Sequence, residues 1–289
     1  MDRLGTWPAR GTWLLLPLLI GTVLGDALAD ASPPVQWVAA IGLWGGWAAV
    51  LVATLVPRAI SLTALRIAAL AAAGATLVAV VVGHSPTGWR VAALSWAIVC
   101  VAVAFFPATG EAFVDGESYG DEHRYPLRVP GPLLAGPLAL AWGAVVAGVA
   151  AGPLLLACRL WVVGVLCLAI GLPVAWRAAR ALHVLSTRFV VLVPAGFVLH
   201  DPLALTDPVL FRRASVRALG PASAGTDALD LTGGALGLAL EAQLVEETDL
   251  PTVAPRRGAP SATVEAQAVL FTPTRPGALL TATRARHIG

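Results

Sequence analysis

The stretch Gly116–Gly131 (GESYGDEHRYPLRVPG) concentrates the groups that could do chemistry in a chain that otherwise has few of them. It holds both tyrosines, and with Glu111 and Asp115 just upstream it accounts for five of the 17 acids. Such a cluster suits a cation site, a docking loop or a solvated turn. The cation reading can be tested on spacing. With Asp115 at position 1, Glu117 and Gly120 fall where an EF-hand wants a ligand and a glycine. Position 5, however, is Tyr119, and position 12, where a bidentate Glu belongs, is Pro126. No amphipathic helices flank the pattern, so no metal is expected there. Glu117, Asp121, Glu122 and Arg124 are instead candidate docking residues, and the prolines of YPLRVPG hold the following chain extended. Residues 107–131 carry five acids against Arg124 and Arg128, a net charge of −3. Their natural counterpart is a basic contact patch further on, Arg212, Arg213 and Arg217. The acidic loop could dock there, dock on a separate protein partner, or simply be solvated.

Charges inside apolar runs come next, because they are costly in a bilayer and often functional. Asp26 lies near the outer end of the first apolar run and Arg159 about two turns into the sixth from the same side, with Arg90 at similar depth. An Asp26–Arg159 intramembrane ion pair is one expectation; separate snorkelling to water is the other. Arg66 is expected to snorkel to the opposite face. Asp26 and Asp30 are four apart and would share a helix face if the helix continued. A paired-carboxylate Mg²⁺ site lacks the additional acids it would need, and a polar exit from the bilayer is the plainer reading. No run carries a chain of acids through its middle, which argues against an ion-coupled pump.

Enzyme signatures are missing. There is no G-x-S-x-G, Walker loop or H-E-x-x-H. Cys100, Cys158 and Cys167 sit in apolar runs with no zinc spacing. Cys158 and Cys167 fall on opposite faces of a continuous helix, which excludes a disulfide between them. No cofactor and no catalytic residue are expected.

The elements that must position these residues follow from hydropathy. The chain is 57% hydrophobic and 12% charged, with mean hydropathy +0.79, where soluble domains are about 25% charged. All 19 basic residues are arginine, as in a GC-rich genome, and a net charge of +2 gives no case for nucleic-acid binding. Six apolar runs are long enough, or nearly so, to cross a membrane: 12–28, 34–56, 62–82, 89–106, 132–150 and 153–176. Nine of the ten tryptophans lie in them, several near their ends. Arginine in the flanks (Arg3, Arg10, Arg58, then Arg177, Arg180 and Arg188) predicts that both termini and the 107–131 loop face the cytoplasm of a multi-pass cell-membrane protein. Residues 1–31 also read as a signal peptide ending at Ala27-Leu28-Ala29, which would leave five spans. Small-xxx-small pairs (Gly21/Gly25, Gly42/Gly46, Gly143/Ala147, Ala144/Gly148) predict close packing within the bundle, with homo-oligomer contacts as the alternative.

After Trp176 the character changes, so the chain divides into a transmembrane domain, 1–176, and a cytoplasmic mainly-β domain, 177–289. Short β-rich runs appear at 188–193, 196–200, 209–217, 229–231, 237–245 and 264–272. Pro194-Ala195-Gly196 makes a turn, Thr248–Ala262 reads as a mobile loop, and Pro276 opens a short terminal helix. ALHVLSTRFVVLVPAGFVLHDP followed by VLFRRASVRALGPA resembles bacterial pleckstrin-homology-like domains attached to membrane helices. The residues that carry the resemblance are Arg188, Gly196, Asp201, Arg213 and Val216. It covers residues 181–289 and implies a curved, capped sheet used for contact rather than catalysis. The fold expected is therefore an all-α membrane bundle of about six spans followed by a small, mainly-β, PH-like domain with a short terminal helix. The expected function is a non-enzymatic anchor for an interaction domain that binds a protein or the membrane surface. The alternative is a six-span transporter or channel with a regulatory tail.

Overall fold

The computed structural model describes residues 3–253 and 262–289. Six of its helices are long and apolar enough to cross a membrane: Trp7–Ala27, Pro33–Leu55, Ala59–Val82, Thr87–Phe105, Pro137–Ala157 and Trp161–Ser186. The first is divided at Leu15 into α1 (Trp7–Leu14) and α2 (Leu16–Ala27), with Pro17 in the opening turn of α2, where its missing N–H is least costly. Next come α3 (Pro33–Leu55), α4 (Ala59–Val82) and α5 (Thr87–Phe105). Two short helices follow, α6 (Pro107–Val114) and α7 (Gly131–Leu134), then α8 (Pro137–Ala157) and α9 (Trp161–Ser186).

The chain folds as two units, and neither is a continuous segment. The helical unit is Met1–Gly116 with Ala139–His183; the β-unit is Glu117–Leu138 with Val184–Gly289. The expected boundary at residue 176 is thus displaced. Helix α9 runs on through Arg177 and Arg180 to Ser186, and the polar loop before α8 belongs largely with the tail.

Inside the helical unit the buried positions are mostly small. Ala69, Ala79, Ala93, Ala97 and Ala104 are buried, while Trp37, Ile41, Trp44, Val81 and Ile170 point outward. The first helix is tied in by a reciprocal pair: each of Trp13 and Trp47 donates its indole N–H to the other's backbone carbonyl, at 3.0 and 2.9 Å. The small-residue motifs divide. Gly148 packs against Gly171, and Gly152 against Leu168. Gly21, Gly25, Gly42, Gly46 and Gly143 meet nothing within 4 Å, so their spacing does not serve packing in this bundle.

The break between the last two long helices is also displaced. Pro153, expected to open the sixth span, lies inside α8, and the turn falls at Cys158–Leu160. Arg159 takes the left-handed conformation (φ 64°). Its amide donates to the Leu156 carbonyl at 2.9 Å, and that of Leu160 to Leu155 at 3.0 Å. This is a Schellman C-cap with arginine where glycine is usual. Cys158 and Cys167 are therefore on different elements.

The β-unit holds two four-stranded sheets. The first is an antiparallel meander in the order β1 (His123–Pro126), β2 (Phe189–Val193), β3 (Gly196–His200) and β4 (Val209–Arg212). The second is ordered β5 (Val216–Pro221), β7 (Leu240–Thr252), β8 (Ala262–Phe271) and β6 (Leu229–Asp230), with β6 parallel to β8. Alternate residues of both sheets meet in one core of Tyr125, Val190, Leu192, Phe197, Leu199, Phe211, Leu240, Leu244, Val269 and Phe271. Helix α10 (Pro276–Ala285) closes it with Leu279, Leu280 and Thr283. Part of the expected mobile loop 248–262 is strand, since Thr248–Thr252 pair with Ala266–Ala262. Its middle, residues 254–261, lies outside the described residues.

Candidate functional site

The segment expected to serve as a docking loop is built largely into the β-unit. His123–Pro126 pairs antiparallel with Phe189–Val193, in the register His123↔Leu192 to Pro126↔Phe189. Tyr125 thereby enters the core, and the chain continues with an isolated bridge from Leu127 to Pro273. Glu117 and Arg124 form an exposed ion pair at 3.3 Å, and the Arg124 guanidinium lies 5.2 Å from the Phe189 ring centroid. Arg286 donates from Nη2 to the Asp121 backbone carbonyl. Asp121 is exposed and Glu122 half-buried. Upstream, Pro107–Val114 is not loop but helix, with Glu111, Phe113 and Val114 buried.

The basic patch sits at the corner where the first sheet passes into the second. Arg212 ends β4, Arg213 opens a 3₁₀ turn and Arg217 is the second residue of β5; all three are exposed. The Arg213 amide donates to Ala195 at 2.8 Å, and Arg217 reaches the Val245 carbonyl at 3.3 Å.

Asp26 and Arg159 are not brought together. The Asp26 carboxylate accepts from the His84 amide (2.6 Å) and the Ser85 hydroxyl (2.9 Å), and so fastens the loop between α4 and α5 to the end of α2. Arg90 grips the same loop through the Gly83 carbonyl. Arg159 is exposed in its turn, not two turns inside a helix as expected, and among the described residues no ion pair joins it to Asp26. Asp30 lies beyond the end of α2, so the two aspartates share no helix face. Arg66 also departs from expectation. Its Nε donates to the Ala104 carbonyl at 3.3 Å and its guanidinium lies 5.3 Å from the Phe105 ring centroid, so it turns into the bundle rather than out to water.

The strongest polar pairing in the β-unit joins two residues that the resemblance singled out separately. Arg188 donates Nε to Asp201 Oδ1 at 2.7 Å and Nη2 to Oδ2 at 2.6 Å, with side-chain exposures of 3% and 1%. Its Nη1 reaches the Arg128 carbonyl at 2.6 Å, and Asp201 Oδ1 also accepts from the Leu203 amide at 3.1 Å. The arrangement is bidentate and fully buried, the geometry in which a desolvated pair can hold its charges. A signal for it existed in the sequence. A hairpin with turn residues 194 and 195 places positions equidistant from that turn opposite one another, as Phe189 is opposite His200. Arg188 and Asp201 are one step further out. Gly196 makes the turn possible, with φ 153° and a hypothetical Cβ falling on the Phe211 carbonyl. His200 carries the Nδ1 proton donated to the Thr187 carbonyl at 2.7 Å and stacks on Phe189, a structural place at a strand end.

Glu241, on β7, accepts from Gln243 Nε2 at 2.8 Å, and this bond holds its carboxyl below the usual range. No group of three or more His, Cys, Asp or Glu among the described residues could hold a metal ion. No known family model, no curated protein and no solved structure matches the chain.

Proposed function

We propose that the chain is a non-enzymatic multi-pass membrane protein whose cytoplasmic, PH-like β-domain is an interaction module held by its helices. One observation carries the reading. Strand β1 precedes α8, strand β2 follows α9, and the two pair in register. The helical hairpin is therefore an excursion from within the first sheet, and the domain is fastened at both ends of that hairpin rather than trailing from a single tail. An antiparallel meander, a second sheet and a closing C-terminal helix support the PH-like assignment. The small-inside, large-outside distribution of the helices supports lipid as their surroundings. Both termini and the β-domain are assigned to the cytoplasm from flanking arginine. Contacts at one end of the bundle agree: Gly116 packs on Pro57, and Gly5 on Ala112.

The module reading is tested by joining residues 117–134 to 187–289 through a flexible linker that replaces the hairpin. The joined chain is expected to give a β-rich circular dichroism spectrum and one cooperative unfolding transition; a helical or unfolded product would refute the module. Orientation is tested by reporters placed after Gly120 and after Gly289. Both are expected in the cytoplasm, and a signal from the opposite side at either site overturns the topology.

A further inference from the structure

The loop Thr232–Leu238 (TGGALGL) joins β6 to β7 and has no role in the domain core. Its backbone is held in place: Asp230 Oδ1 accepts from the Thr232 amide at 2.7 Å, and the Thr232 hydroxyl accepts from the Gly234 amide at 3.1 Å. Gly233 and Gly234 are both left-handed, at φ 60° and 69°. The loop presents Leu236 and Leu238 to the outside, 69% and 49% exposed. Between them, Gly237 lies against Arg128, with a Cβ at Gly237 falling 2.8 Å from Nε. The same loop packs on the segment leading out of β1. Gly131 abuts the Gly234 carbonyl, and a Cβ at Gly233 would meet Pro130 at 3.3 Å. One helical turn further on, Leu134 is 51% exposed.

Three outward leucines are thus carried by a braced loop and the segment it packs on, and exposed apolar groups brought to one side of a domain mark a contact surface. The chain itself says which contact. Only Ala135 and Gly136 separate Leu134 from Pro137, the first residue of α8, so Leu134 lies within about 11 Å of it. Helix α8 has 21 residues, a length of about 31 Å, which matches the hydrocarbon core. A helix of that length crossing a bilayer begins at the interface. We propose that Leu134, Leu236 and Leu238, with Arg128 beside Gly237, form a lipid-contact edge of the β-domain that sits in the headgroup–acyl boundary of the membrane crossed by α8. This inference rests on the reading that the six helices span the bilayer. Leucines inserted shallowly with a basic residue alongside are the usual means of interfacial contact with anionic lipid. The nearby Asp230 carboxylate does not oppose it, being bonded back onto the loop's own amide.

The test uses the full chain with Cys100, Cys158 and Cys167 replaced by alanine, reconstituted in phosphatidylcholine–phosphatidylglycerol nanodiscs. An environment-sensitive fluorophore is attached at Leu238→Cys, and in a separate sample at Ile41→Cys, mid-helix on the outward face of α3. The expected result at position 238 is blue-shifted emission, quenched most by lipids brominated near the headgroup. The expected result at position 41 is quenching most by lipids brominated deep in the chain. Water-like, unquenched emission at 238 together with deep quenching at 41 overturns the lipid-contact edge and leaves the spanning reading standing. A blue shift at 238 that brominated lipids do not quench assigns the leucines to a second copy of the chain, and overturns it too. Loss of deep quenching at 41 overturns the spanning reading itself, and this inference with it.

Discussion

The helical unit buries a larger share of small residues than the β-unit does, although Ile20, Leu62 and Phe113 are fully buried in it as well. In the β-unit the interior is large: Phe197, Phe211, Phe271, Leu192, Leu199 and Leu240 are fully buried. In the helical unit alanines occupy many interior positions, and Trp37, Ile41, Trp44, Val81 and Ile170 face out. Water makes the first arrangement favourable, since each large side chain removed from it stabilises the fold by about 1.5–3 kcal/mol. Hydrocarbon supplies no such drive between helices, so close backbone approach and hydrogen bonding hold them instead. Polar groups follow the same division. The β-unit buries a complete ion pair, while the helices satisfy Trp13, Trp47, Thr63 and Thr76 on backbone carbonyls. The lesson is that one chain solves burial twice, each time according to its proposed solvent.

The sharpest way to break this contrast is to leave a charge unpaired in the water-folded unit. Asp201→Ala is expected to destabilise the β-domain by about 3–5 kcal/mol, because Arg188 then stays buried without a counter-charge. Denaturant unfolding followed by hydrogen exchange on β2 and β3 measures it. Arg188→Met combined with Asp201→Leu is expected to recover most of the loss; no recovery would mean that the pair does more than neutralise itself. Size gives the second test. Phe197→Ala is expected to cost about 3–5 kcal/mol, and Ile41→Ala on the outward face of α3 less than about 0.5 kcal/mol. Comparable losses at the two sites would erase the distinction between the units.

Enlarging the helical interior should hurt where truncating its exterior does not. Ala97→Leu is expected to cost about 1–3 kcal/mol by overpacking, read as lowered thermal stability in detergent. At the end of α2, Asp26→Ala removes two hydrogen bonds to a carboxylate and is expected to lower thermal stability in detergent. Arg159→Gly is expected to be neutral or stabilising by up to about 1 kcal/mol, since glycine suits the left-handed cap. An equal loss at both positions would restore the ion pair that the geometry denies. The smallest effect concerns pH. Glu241 has a folded-state pKa below its unfolded one, with the Gln243 bond as the main cause. Its contribution is therefore full above the unfolded value of about 4.3 and fades as pH falls toward the lower folded value. Glu241→Gln is expected to flatten the acid limb of the β-domain's stability profile slightly.

Much of the fold was legible in the residues. Hydropathy over about 20 positions marks each long helix because an apolar run of bilayer-spanning length is a property of residue types in one contiguous stretch. The strand runs at 188–193, 196–200, 229–231 and 264–272 fall within a residue or two of β2, β3, β6 and β8, since alternation and turn residues are local signals. The long-range pairings were not legible. Asp26 answers to Ser85 and the His84 amide, 59 and 58 positions away, and no local pattern names such a partner. The turn at Cys158–Leu160 lies inside an apolar run that looks unbroken, so Pro153 drew the boundary that Arg159 in fact makes.

The stretch Gly116–Gly131 separates the two levels most clearly. By itself the sequence determined that this segment is polar, proline-stiffened and without metal geometry, because those properties reside in residue types and close spacings. Only the tertiary structure decided that His123–Pro126 is a strand of the tail's own sheet. That choice depends on the Phe189–Val193 edge, brought to it across the three intervening helices α7 to α9, and backbone pairing at that separation leaves no mark on either segment alone.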